Sequence, residues 1–124
     1  MGLIPISLFQ PGKWCIFRDM TQEYHIVFNT CPDLETAETI ANTLVDEELA
    51  ACVNIVPGVR SVYMWEGQRT TSQEHLLLIK AMAADYEAIE ETILDLHPDE
   101  LPEIIAVSIS TGLPDYLDWL GVAD

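Results

Sequence analysis

Basic side chains are what this sequence has least of. Five Lys and Arg stand against 21 Asp and Glu in 124 residues, a formal net charge of −16, with a pI near 4.1. A chain this negative is repelled by phosphate backbones and anionic lipid surfaces, which argues against nucleic acid and membrane surfaces as partners. Long apolar runs are missing too, and a stretch such as Leu76 to Ile79 falls far short of the roughly 20 residues a spanning helix needs. Cys15, Cys31 and Cys52 form an odd set without C-x-x-C spacing. That pattern suits a reduced, cytoplasmic protein and shows no zinc knuckle. Pro5 and Pro11 interrupt the first nineteen residues, which therefore do not read as a signal peptide. Neither G-x-G-x-x-G nor G-x-x-x-x-G-K-[ST] occurs, and no nucleophile has a base and an orienting group in a local signature. The chain reads as a non-enzyme.

What is present suffices for one domain. Apolar residues make up 49% and charged residues 21%, enough for a core and too little polarity for a disordered chain. Met1 to Asp19 has no helical or strand period and reads as an appendage to a domain over 20–124. Leaving out its Lys13, Arg18 and Asp19 leaves three basic and twenty acidic residues, so the acidity belongs to the domain.

The run Y-H-I-V-F-N-T, Tyr24 to Thr30, is aromatic and β-branched, as a buried strand requires, and Pro32-Asp33 closes it. Ala37, Ile40, Ala41, Leu44 and Val45 then recur at helical spacing, behind an acidic start that suits the macrodipole. Asp46, Glu47 and Glu48 at the far end have the wrong sign for a helix terminus. In A-A-C-V-N-I-V-P-G-V-R-S-V-Y-M-W-E-G, Pro57-Gly58 bends an extended run without ending it, the mark of a bulged strand. Val59, Ser61, Tyr63 and Trp65 share one face beyond the bend. After Gly67 the chain returns as a strand over Ser72 to Met82, roughly 36 Å at 3.3 Å per residue. A hairpin this long projects past its own core, and a partner subunit is the economical cover. A second helix follows from Asp85, with Tyr86, Ile89, Ile93 and Leu96 as its buried stripe, and stops at His97-Pro98. Ile104 to Ile109 make a further strand, and a short amphipathic turn carries Tyr116, Trp119 and Leu120. The order β-α-β-β-α-β plus a C-terminal helix predicts an α+β, ferredoxin-like split βαβ sandwich with an antiparallel sheet.

The segments T-C-P-D-L-E-T-A, L-A-A-C-V-N-I-V-P-G-V-R-S-V-Y-M-W-E-G, L-L-L-I-K, H-P-D-E-L-P-E-I-I and D-Y-L-D-W-L stand in the order seen in the CutA divalent-cation-tolerance family. The resemblance covers Tyr24 to Leu120. It implies a tight homotrimer similar to PII signalling proteins, with interlocked hairpins, in a cytoplasmic protein that binds copper(II) without known catalysis. Copper ligands implied by the resemblance transfer only in part. The cysteine position is Asn29, with Cys31 two residues on; the first histidine position is Leu96, and the second is His97. Asp99 stands where the family usually has tyrosine, and Met64 where a second tryptophan is common.

Candidate metal ligands are therefore His97, Cys31, Asp99 and Glu100, for copper(II) or another divalent cation. The competing reading of His97 is a surface cap on its helix. Cys31, near a helix N-terminus that favours thiolate, is the more reactive cysteine, whereas Cys52 reads as a small core hydrophobe. His25 and His75 read as structural. Trp65, Tyr63, Tyr116 and Trp119 read as interface and core aromatics, and Trp65, Lys80, Tyr116 and Trp119 are candidates for an intersubunit cleft. Lys80 marks either an ion pair with Glu66 or Glu103, or an anion site between subunits. Two alternatives stand beside the metal-binding trimer. One is a PII-like sensor taking a small anionic or nucleotide effector near Trp65, Lys80 and His97; the other is a structural anchor attached through residues 1–19.

Overall fold

Residues 23–122 are described by the computed structural model; the appendage inferred over 1–19, and Cys15 within it, lie outside them. Strand β1 spans Tyr24–Cys31, one residue further than its apolar run predicts, because Cys31 is itself buried in the core. Helix α1, Leu34–Asp46, starts where Asp33 Oδ1 accepts the Thr36 N–H at 2.7 Å and so satisfies one of the free amides of the first turn. Its buried stripe is Ala37, Ile40, Ala41 and Leu44. The acidic end noted in the sequence closes with Glu48 at φ 60°, a left-handed conformation that L side chains resist.

Strands β2, Cys52–Trp65, and β3, Gln68–Met82, have 14 and 15 residues. The return strand thus starts four residues before Ser72. Its extension pairs Trp65 with Gln68 and leaves Glu66-Gly67 as a two-residue turn with φ 53° and 80°, the left-handed pair that matches strand twist. The predicted bend is a bulge: Val56 opposes Leu76 and Val59 opposes Glu74, so Pro57-Gly58 face His75 alone. Residues 59–74 form a ribbon that runs past the end of β1, where Cys31 is paired with His75. A 3₁₀ turn over Ala83–Asp85 leads into helix α2, Tyr86–Leu96; strand β4 is Ile104–Ser108 and helix α3 Pro114–Val122.

The sheet order is β2-β3-β1-β4, every neighbouring pair antiparallel. This is the ferredoxin-like plan expected from the element order. Alternation divides the sheet. Val27, Cys31, Leu77 and Ile79 pack on Ile40 and Leu44 of α1 and Ile89 and Ile93 of α2 as one core. Their neighbours Phe28, Leu76 and Leu78 take the other face with Ile105 and Val107 of β4, which are 55% and 48% exposed. Neither α1 nor α2 covers that face. Cys52 also departs from its expected role: it is half-buried opposite Lys80, outside the helix-side core.

Candidate functional site

Backbone groups at the end of β1 anchor the segment that follows α2. His97 caps α2, its N–H donating to the Ile93 carbonyl at 2.8 Å, and its ring is buried rather than at the surface. Nε2 lies 2.7 Å from the Thr30 carbonyl and Nδ1 lies 3.1 Å from the Asp99 N–H. The carbonyl can only accept and the amide can only donate. The proton therefore sits on Nε2, and both ring nitrogens are engaged. Asn29, fully buried in β1, adds a second tie: Nδ2 donates to the Glu103 carbonyl at 2.9 Å, and Oδ1 accepts the Cys31 S–H at 3.3 Å. Residues 97–103 are thus clasped to the strand end at two points.

Facing that loop is the projecting ribbon of β2 and β3. A cleft of about 750 Å³ lies between them, with Thr30, Tyr63, Trp65, Glu74, Asp99, Glu100 and Glu103 among its lining residues. Trp65 and Tyr63 share a ribbon face because they are two positions apart. Glu74 is held there by the Ser61 hydroxyl, which donates to its carboxylate at 2.5 Å. The lining contains four carboxylates and no basic side chain.

The structure separates the predicted site residues. Asp99 and Glu100 line the cleft, and Asp99 Oδ2 is 3.9 Å from His97 Nδ1. Cys31 does not join them. Asn29 and Cys31 do share a face of β1, but the thiol is buried toward α1 and α2; burial, then the nearby carboxylates of Asp33, Asp99 and Glu74, push it up to about 12. The thiolate expected from a helix N-terminus is therefore overturned by desolvation and like charge. Asp33 takes the benefit of that terminus: hydrogen bonds from Thr36 hold its carboxyl below its ordinary value. Among the described residues no three His, Cys, Asp or Glu side chains are grouped to hold a metal ion. Leu96, at the first histidine position, is 38% exposed at the end of α2, so the buried stripe expected to include it is limited to Ile89 and Ile93.

Trp65 lies in the cleft, but Lys80 does not. Lys80 sits opposite Cys52 and Ile26, twelve residues along β3 from the partner of Trp65, about 40 Å at strand spacing. Neither expected ion pair forms. Glu66 is at the far tip of the hairpin, and no salt bridge to Lys80 occurs among the described residues. Tyr116 and Trp119 pair on α3 with ring centroids 5.5 Å apart. That helix packs at the Tyr24–Met82 end of the sheet, where Gly121 approaches both side chains. Within one subunit Trp65, Lys80 and the α3 aromatics are thus dispersed, and only assembly between subunits could gather them. His25 and His75 stay in the strands, each with a buried Nδ1 that has no hydrogen-bond partner among the described residues. Glu74 was missed by sequence reasoning. Its signal was an acidic residue inside a strand, two residues before the apolar run from Leu76.

Residues 25–122 match the family described as CutA1 divalent ion tolerance protein. The divalent-cation tolerance protein CutA of Thermus thermophilus is 48% identical over 95 residues, which are 77% of this chain and 92% of that one. The chloroplastic protein CutA of Arabidopsis thaliana is 44% identical over 77% of this chain and 52% of its own length. Among solved structures, the divalent cation tolerance protein Cut A1 of Thermus thermophilus superposes with a TM-score of 0.79 at 46% identity, covering 81% of this chain and 97% of that one. CutA of Xylella fastidiosa gives 0.76 at 49% identity, covering 78% and 93%. The order of motifs, the strand order and these matches agree: the chain belongs to the CutA1 divalent ion tolerance family.

Proposed function

We propose that the protein is a homotrimeric, non-catalytic binder of divalent cations that serves cation tolerance in the cytoplasm, with copper(II) first among its ions. The observation that carries this reading is the cleft lining: Glu74, Asp99, Glu100 and Glu103 bring four carboxylates, and none of Arg60, Arg69 and Lys80 lines it. A divalent ion is attracted there and an anion is repelled. Copper(II) leads because it tops the divalent affinity order for nitrogen and oxygen donors. One subunit supplies only part of a coordination shell, and water or a neighbouring subunit supplies the rest. His97 Nδ1 is the nitrogen beside Asp99, and the ion gains it only by displacing the Asp99 amide. Cys31 takes no part, since its thiol is buried in the helix-side core and does not line the cleft.

The trimer is supported by the uncovered apolar face of Phe28, Leu76, Leu78, Ile105 and Val107 and by a ribbon with no cover of its own. A reducing compartment is supported by the free thiols of Cys31 and Cys52. The anionic-effector alternative is disfavoured by the cleft's negative lining and by the place of Lys80.

Light scattering is expected to give about 42 kDa, three times the 13.9 kDa chain. Titration of the metal-free trimer with copper(II) is expected to show saturable binding that weakens at least tenfold in the double variant Glu100→Gln/Glu103→Gln. A folded particle of single-chain mass would overturn the assembly. Copper affinity unchanged in both that variant and His97→Ala would overturn the site.

A further inference from the structure

Among the described residues Lys80 is the one Lys or Arg outside the ribbon of residues 59–74. Register sets it in a row across the sheet, Cys52–Lys80–Ile26–Val107, and the next row is Asn54–Leu78–Phe28–Ile105. Directly opposed residues point to the same side of a sheet. Lys80 therefore shares the open apolar face with Leu78, Phe28, Ile105 and Val107, on an inner strand with a neighbour on either side. The row beyond it, Met82–Tyr24, is where α3 packs through Gly121. Among the described residues no carboxylate, those of Asp115 and Asp118 on α3 included, forms a salt bridge with Lys80.

A face of this kind is covered in an assembly, and the cover strips water from the Lys80 ammonium. A buried charge without a counter-charge is costly, so the cover must bring an anion. A second copy of this chain has 21 Asp and Glu against five Lys and Arg, and carboxylate is the charge it offers. We propose that a carboxylate of a neighbouring copy pairs with Lys80 in the assembled protein, completing a charged site that one subunit leaves half-made. The inference rests on the proposed assembly of copies and adds to it. Apolar surfaces alone allow several fits, whereas a lysine–carboxylate pair selects one.

The test is subunit exchange, read by energy transfer between two preparations of the full-length protein labelled at the amino terminus, with light scattering reporting assembly. Lys80→Met keeps the length of the side chain and removes its charge. With no anion opposite, methionine tightens the contact; with a carboxylate opposite, it strands that charge. Exchange is expected to be at least tenfold faster in Lys80→Met, or assembly to be lost, and to stay within threefold of the parent in Lys80→Arg, which keeps the cation. Lys80→Gln is measured beside it, and circular dichroism identifies whichever neutral variant folds and counts. Phosphate in place of chloride at matched ionic strength is expected to leave parental exchange within twofold. A smaller acceleration in a folded neutral variant, or an equal one in Lys80→Arg, overturns the inference and spares the assembly. So does a parent slowed more than twofold by phosphate, for a free anion then occupies the site. A parent of single-chain mass overturns both.

Discussion

Replacing His97 tests whether this imidazole is a structural clasp or an open ligand. His97→Ala deletes the donor to the Thr30 carbonyl and the acceptor of the Asp99 amide, from a ring with no exposed side-chain surface. Each lost bond is worth about 1 kcal/mol and the void adds about 1 more, so about 3 kcal/mol is expected. With a urea slope near 1.5 kcal/mol/M, the midpoint falls by about 2 M at fixed protein concentration. Two milder variants divide that loss. His97→Gln places an amide N–H near the Nε2 position and keeps the Thr30 contact. His97→Asn places an amide oxygen near the Nδ1 position and keeps the Asp99 contact. Each is expected to recover about 1 kcal/mol of the alanine loss. Nitrogen NMR of the metal-free protein should show the proton on Nε2. An alanine variant within about 0.5 M of the parent midpoint would refute the clasp, as would a proton found on Nδ1; His97 would then be a free donor awaiting a metal.

Cys31 gives an alkaline prediction. Its folded value, pushed up from 9.0 to about 12, lies above that of the unfolded chain, which therefore loses its proton first. Stability falls as pH rises from 9 toward 12, by about 1.4 kcal/mol per unit and subunit; Cys31→Ala should flatten that slope between pH 9 and 10, and equal slopes would contradict the burial argument. Tyr86, raised by burial and by its bond to Glu90, adds a smaller trend of the same sign that Cys31→Ala leaves in place. Glu48→Gly should raise stability by up to about 1 kcal/mol, since glycine accepts the left-handed conformation and removes a negative charge from the end of α1; a lower melting temperature would show that the side chain has a role of its own. Ile105→Lys puts a charge on the uncovered sheet face at a site already 55% exposed in the subunit, so scattering should report dissociation with secondary structure kept, and an intact trimer would move the interface elsewhere.

The legible features are those set by a local period. Alternation through Tyr24–Thr30, the helical stripe from Ala37 to Leu44 and the Pro57-Gly58 interruption each announce an element whose neighbours in sequence decide it. The availability of a donor is a different kind of property. His97 is engaged by Thr30, 67 residues away, and Asn29 by the Glu103 backbone, 74 residues away; no window along the chain contains either pair. Cys31 was misjudged for the same reason. A helix terminus lies beside it in sequence, but the apolar cover from Ile40 and Ile93 and the carboxylates of Asp99 and Glu74 arrive only with tertiary structure. Lys80 stands apart from the ribbon tip within one subunit through register: its apolar strand was visible, but the twelve residues between them become a distance only when β2 and β3 pair. Residue type therefore identified donors suited to a metal, while the fold decided which were already spent. That leaves the carboxylates of a cleft whose ribbon wall and loop wall lie far apart in the chain, and chemistry assigned to this subunit must start from those groups before any histidine or cysteine is invoked.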